Sequence, residues 1–277
     1  MIDSHQHFWN YNEERDTWIT PEMSVLRKDY YPSYSEGLFR ENGFTGCVAV
    51  QADSSEEETL FLLALAEQNE FIQGVVGWVD LQSSNIEDRL AYFSQFEAIK
   101  GFRHIVQGEK DPSFLARKEF IRGVKALASF DLSYDLLIYP HQIESAISFC
   151  QTCHDQRIVL DHLAKAPLKS GDISAWKNQI SEFKDLDHVS AKLSGIVTEA
   201  NDQNWTTDQV NEIIDVALAV FGPSRLLIGS DYPVVLLNST IERWVNTFKS
   251  QLAGLSASEQ SKIYEGNAIE FYQLETL

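Results

Sequence analysis

The sequence predicts a (β/α)8 TIM barrel built as one domain over residues 1–277. Three observations predict it. Short apolar runs alternate with helix-patterned segments from end to end, as in a parallel sheet buried on both faces. Eight such units in 277 residues suit a closed barrel. No composition shift or flexible linker marks a second domain. The open doubly wound sheet, the competing α/β fold, has no G-x-G-x-x-G after the first strand to support it.

The elements read off in order. Met1 and Ile2 start a first strand that ends at His5-Gln6-His7. An aromatic-rich loop over about residues 8–33 follows, holding Trp9, Tyr11, Trp18, Tyr30 and Tyr31, and is expected to lie over the barrel mouth. A helix near Tyr34–Glu41 is ended by Asn42-Gly43. Strands two to eight are expected at Thr45–Gln51, Ile72–Val79, Ile99–Ile105, Leu132–Tyr139, Arg157–His162, Val189–Ser194 and Arg225–Ser230. Their helices are expected at Ser55–Gln68, Asn85–Phe96, Arg117–Ser129, Gln142–Cys153, Ser174–Lys184 and Thr207–Phe221. Two more, Thr240–Leu252 and Ser256–Tyr272, close the chain. Ser54 or Ser55 caps the second helix, with acids in its first turn.

The net charge of −19 argues against nucleic acid and acidic membrane surfaces as partners. No apolar stretch reaches a membrane span. The N-terminus has no basic region before an apolar run, so no signal peptide is expected and a cytoplasmic location is. Cys47, Cys150 and Cys153 make an odd set, which argues against a disulfide framework. Cys150-Gln151-Thr152-Cys153-His154 matches the C-x-x-C-H haem pattern, but its helical spacing favours buried helix cysteines instead.

Chemistry in a TIM barrel gathers at the C-terminal ends of the strands. Those ends supply His5 and His7, Gln51 and Asp53, Trp78 and Asp80, Arg103 and His104, Tyr139 and His141, Asp161 and His162, Lys192 and Ser194, and Ser230 and Asp231. Residues two apart on a strand point the same way, so His5 and His7 can converge on a divalent metal or on a substrate. His5, His7, His162 and Asp231 form the expected site. Asp53, Asp80 and Asp111 read as caps or turn residues, and His141 as a helix start. His154 and His188 receive no role. Lys192 reads either as a barrel-wall ion-pair partner or as a site residue.

Several segments carry a family resemblance: Met1-Ile2-Asp3-Ser4-His5-Gln6-His7-Phe8-Trp9, Gly101-Phe102-Arg103-His104-Ile105-Val106-Gln107, Ser133-Tyr134-Asp135-Leu136-Leu137, Val159-Leu160-Asp161-His162-Leu163-Ala164-Lys165, Lys192-Leu193-Ser194-Gly195 and Gly229-Ser230-Asp231-Tyr232-Pro233-Val234. Together they resemble the amidohydrolase-2 branch of the amidohydrolase superfamily, and within it L-fuconolactonase-like and L-rhamnonolactonase-like sugar lactonases. The resemblance implies a hydrolase that opens an aldonolactone, L-fuconolactone or a close relative, to the aldonate. It implies His5, His7, His162 and Asp231 as the ligands of a single ion, zinc by preference.

Binuclear members carry a bridging lysine or glutamate at strand four. Here that strand ends in Arg103 and His104, and Lys100 lies too early to bridge. The expectation is therefore a mononuclear or metal-optional site. Asp231 is the expected base, since a carboxylate of pKa about 4 is ionised at neutral pH. His5, His7, His162 and Arg103 are expected to act on the carbonyl. Gln51, His104, Tyr139 and Trp18 are expected to contact substrate, and strand register leaves open whether Arg103 or His104 faces inward. Trp9 and Trp18 either stack on a sugar ring or pack the loop. The competing functions are a metal-dependent decarboxylase of the same branch and a non-catalytic binding barrel.

Overall fold

A computed structural model describes residues 1–200 and 203–275. Eight parallel strands follow one another around a single sheet in chain order: β1 (Ile2–Gln6), β2 (Gly46–Val50), β3 (Ile72–Gly77), β4 (Ile99–His104), β5 (Ser133–Leu136), β6 (Ile158–Leu160), β7 (Val189–Leu193) and β8 (Leu226–Ile228). The helices between them are α1 (Pro32–Glu41), α2 (Glu56–Gln68), α3 (Ile86–Phe93), α4 (Lys118–Leu127), α5 (Ile143–Thr152), α6 (Ser174–Ile180) and α7 (Thr207–Phe221), and α8 (Ile241–Leu252), α9 (Ala257–Ser261) and α10 (Asn267–Tyr272) end the chain. This is the TIM barrel that the alternation predicts. Among the described residues no helix is long and apolar enough to cross a membrane.

The sheet closes where β8 meets β1. The Asp231 amide donates to the His5 carbonyl at 2.9 Å, and the His7 amide to the Tyr232 carbonyl at 2.7 Å. A side-chain latch reinforces the seam: the Ser230 amide and hydroxyl donate to the two carboxylate oxygens of Asp3 at 2.7 and 2.6 Å. Two of the site residues, His5 and Asp231, thus sit on the closure itself.

Several boundaries differ from the sequence expectation for identifiable reasons. Pro32 opens α1 two residues earlier than expected, its fixed φ suiting a first helical position. β6 stops at Leu160 because His162 to Lys165 turn left-handed, with φ between 52° and 54°. β5 loses its partner there and stops at Leu136. The expected final helix is broken by a wide turn at Lys262–Gly266, which re-aims α10. Ser55, not Ser54, caps α2, accepting the Glu58 amide at 3.2 Å. All three cysteines are buried and unbonded.

The re-aimed α10 closes the N-terminal end of the barrel. Ala268, Phe271, Tyr272 and Leu274 pack with Ile2, Val48, Val50, Val76, Val159 and Leu227 in one cluster. The second, larger core lies between the outer strand faces and the helices. The lumen is thus apolar below and is left to polar groups above.

Candidate active site

β1 does not carry its alternation evenly. Its register on β2 shifts between Asp3 and Gln6, and both His5 and His7 turn towards the site. Their Nε2 atoms stand 3.2 Å apart. His7 Nδ1 faces the Val50 carbonyl at 2.7 Å. That nitrogen must carry the proton in a neutral ring, so the lone pair lies on Nε2. Asp231 Oδ1 lies 3.3 Å from His7 Nε2, 3.8 Å from His162 Nε2 and 3.9 Å from His5 Nε2.

Backbone strain places two of these groups. Asp231 has φ 59° and His162 has φ 53°, a region that side chains other than glycine enter at a cost of about 1–3 kcal/mol. Gly195, at φ 61°, makes room for them. A Cβ there would stand 2.5 Å from His162 Nδ1 and 3.1 Å from Asp231 Oδ2. His162 Nδ1 pairs with Ser194 Oγ at 2.9 Å, which leaves Nε2 for the site.

His5, His162 and Asp231 have ligand atoms within 4.8 Å of one another and could hold a metal ion, with His7 beside them. A zinc–nitrogen distance of about 2.0–2.1 Å makes the edge of a ligand tetrahedron about 3.3–3.4 Å. The His5–His7 and His7–Asp231 separations of 3.2 and 3.3 Å match that edge, and those from Asp231 to His162 and His5, 3.8 and 3.9 Å, exceed it. Three imidazoles and a carboxylate are also the donor chemistry that zinc takes.

The charge states agree. Burial, helped by Lys192 and His162, holds the His5 imidazolium pKa well below its usual value, against the pull of Asp161. Burial likewise pushes His162 down to about 4. Both rings are neutral near pH 7, as ligands must be. For Asp231 burial works the other way, but His162, His7 and His5 together hold its carboxyl below the usual range.

Directly beneath lies a belt of buried ions. Lys192 Nζ reaches Asp135 Oδ2 at 2.5 Å, Asp161 Oδ1 at 3.0 Å and His5 Nδ1 at 3.1 Å. The hydroxyl of Tyr272, from the α10 plug, donates to Asp135 at 2.8 and 3.0 Å. Arg103 joins the belt to the mouth. Its Nη1 donates to Asp161 Oδ2 at 3.0 Å and lies 3.2 Å from His5 Nε2, while Nε and Nη2 donate to Gln51 Oε1 at 3.0 and 2.8 Å. Burial raises Asp135 to about 6 against the pull of Lys192. Asp161 is driven down despite burial, because Lys192, His5 and Arg103 surround it.

Above the four groups opens a cavity of about 460 Å³, within the range of small-molecule sites. His7, Arg103, His162 and Asp231 reach its surface, with Trp18 and Tyr139 on its walls. His5 is fully buried behind them.

Other expected contacts lie elsewhere. His104 is a correction: β4 turns Arg103 inward and its neighbour outward, so His104 stacks on Phe114 at 4.8 Å and pairs with Glu109 at 2.7 Å. Gln51 is buried, does not line the cavity, and serves as the clamp on Arg103. Trp9 is buried and donates to the Lys28 carbonyl, so it packs the loop. Lys192 takes the ion-pair role. Asp80 and Asp111 cap turns, accepting the Gln82 and Ser113 amides.

Sequence reasoning missed Gln107, Lys165, Thr198 and Glu199, which line the cavity. It also missed Tyr272, which no local pattern ties to a barrel interior.

An amidohydrolase family model matches residues 2–274. The chain belongs to the amidohydrolase family. It is 37% identical to an L-fucono-1,5-lactonase of Burkholderia multivorans, the match covering 99% of this chain and 96% of the relative. It is 30% identical to an L-fucono-1,5-lactonase of Burkholderia ambifaria over 99% and 96% of the two chains. A crystal structure of a Burkholderia multivorans amidohydrolase with bound zinc superposes at a TM-score of 0.96, with 36% identity over 99% of both chains. The barrel is therefore an amidohydrolase barrel along its whole length, and the family is one of enzymes.

Proposed function

We propose that this amidohydrolase opens an aldono-1,5-lactone to its aldonate by attack of water on the lactone carbonyl. The observation that carries the reading is the convergence of three imidazole Nε2 atoms and one carboxylate oxygen at the floor of a sugar-sized cavity. The two relatives named L-fucono-1,5-lactonase support the substrate class.

His5, His7, His162 and Oδ1 of Asp231 are the set that would hold one zinc ion, which when bound supplies a Lewis acid at the carbonyl oxygen. Asp231 then has Oδ2 free to take a proton from the attacking water. Arg103, immobilised by Gln51 and Asp161, sets a positive charge beside the oxygen on which negative charge develops. When the ring C–O bond breaks, Asp231 Oδ2 returns its proton to the departing oxygen. The new carboxylic acid ionises and leaves as the aldonate.

The loop over residues 8–33 covers part of the mouth and brings Trp18 and Met23 to the cavity. With Val234 and Leu237 they make an apolar side, which suits a methyl substituent on the sugar. A methyl in place of a hydroxymethyl distinguishes L-fucono-1,5-lactone from its L-galactono counterpart, so the former is the preferred substrate.

A panel of aldonolactones with a pH-indicator readout, run beside metal analysis before and after chelation, tests this. The expected result is fastest acid release from L-fucono-1,5-lactone and no more than one ion per chain. Release of carbon dioxide from an aromatic or unsaturated acid with no lactone turnover, or two ions both needed for turnover, would overturn it.

A further inference from the structure

The cavity mouth is chemically divided by strand. The loops after β1 and β8 contribute Trp18, Met23, Val234 and Leu237, whereas those after β6 and β7 contribute Lys165, Thr198 and Glu199. Lys165 reaches the cavity through an unusual backbone. His162 to Lys165 form one left-handed turn of four residues, none of them glycine, closed by the Lys165 amide on the His162 carbonyl at 2.8 Å. The same turn that delivers His162 to the floor therefore delivers Lys165 to the wall.

The lysine meets Glu199 there. Nζ lies 2.8 Å from Glu199 Oε1 and 5.5 Å from the centre of the Tyr139 ring, with the two charged side chains 16% and 26% exposed. One ammonium proton is spent on Glu199, and others remain for an acceptor in the cavity. Glu199 keeps a second carboxylate oxygen. Gln107, whose amide donates to the Leu137 carbonyl at 3.0 Å, lines the same cavity, and its Oε1 is buried with no hydrogen-bond partner among the described residues. A donor cation, an acceptor anion and an unpaired amide oxygen around an aromatic ring match the alternating donors and acceptors of a polyol.

We infer that Lys165 and Glu199, with Gln107, form the subsite that reads the ring hydroxyls of the lactone and so determine specificity. This rests on the lactone-hydrolysis reading above. The subsite binds the non-reacting part of the substrate, so its loss weakens binding without removing the groups that attack the carbonyl.

Lys165→Met and Glu199→Gln test the assignment on the full-length protein with an aldono-1,5-lactone. The second readout is the inhibition constant, or calorimetric affinity, of the corresponding lactam, a ring with the same hydroxyls that is not hydrolysed. A hydrogen bond to a charged group is worth about a 10- to 100-fold factor. The expected result for Lys165→Met is a rise of that size in both KM and the lactam constant, with kcat within about threefold. Glu199→Gln should give a smaller rise, and the double variant less than the product of the two, because the residues act as a pair.

A fall in kcat equal to the rise in KM, or a lactam constant within twofold of wild type, would overturn it. Should Lys165→Met fail to accumulate as folded protein, Glu199→Gln carries the same test. If the wild-type chain binds the lactam without hydrolysing the lactone, the reaction reading fails. The subsite then stands or falls on the lactam constants alone.

Discussion

The two ends of this barrel lumen are built on opposite principles. The lower end is sealed by Phe271, Leu274 and Ala268 against Ile2, Val48 and Leu227, all apolar. The upper end holds three histidines, Asp231 and Arg103 and carries the strained backbone at His162 and Asp231. Between them, Lys192, Asp135 and Asp161 form a buried ionic layer that touches both, through Tyr272 below and His5 above. The difference teaches a division of labour. Packing below and satisfied charges in the middle hold the frame, so that the mouth can keep lone pairs, strain and an open cavity.

Lys192→Met should do most harm, because it leaves Asp135 and Asp161 buried without their cation. Breaking a buried ion network in this way costs about 3–5 kcal/mol. Denaturant titration should show that loss, and metal analysis should show weaker metal retention, since Lys192 also borders His5. If only stability falls and metal retention is unchanged, the layer is a frame alone.

Phe271→Ala strikes the plug, and the truncation of a buried phenylalanine costs about 3 kcal/mol or more. Here the comparison predicts separation: lower stability by denaturant titration, but unaltered kcat in the folded protein. A parallel fall in kcat would show that the two ends are not independent.

Glu58 gives the mouth a smaller, pH-dependent signature. It lies beneath the loop after β2, accepts the Ala52 amide, and burial pushes it up to about 7. The usual carboxyl value of 4.5 applies once the chain unfolds. A folded acid with a raised pKa resists ionisation, so its stability contribution declines as pH rises above 4.5 and through 7. Glu58→Gln should therefore gain on wild type by about 1 kcal/mol between pH 6 and pH 8, and show no such slope below pH 4. An equal difference at all pH values would contradict the assignment.

The frame was more legible in the sequence than the site's support. Apolar runs such as Cys47-Val48-Ala49-Val50 mark barrel strands because nothing else buries on both faces. The strand-end rule then places His5, His7, His162 and Asp231 at the mouth. At β4 it leaves Arg103 and His104 as alternatives, because a single-residue register decides which faces in, and it is Arg103 that does. Lys165 was out of reach because its aim depends on a left-handed turn with no glycine to announce it. Tyr272 was hidden because its partner, Asp135, lies 137 residues away.

The central claim, that Asp231 moves the proton of the attacking water, is tested most directly by Asp231→Asn. Its kcat/KM on the best aldonolactone is compared with wild type in the pH-indicator assay, on protein shown to be folded. An amide cannot accept that proton, so a loss of about 10²–10⁴-fold is expected. Hydrolysis by Asp231→Asn at the wild-type rate would contradict the account.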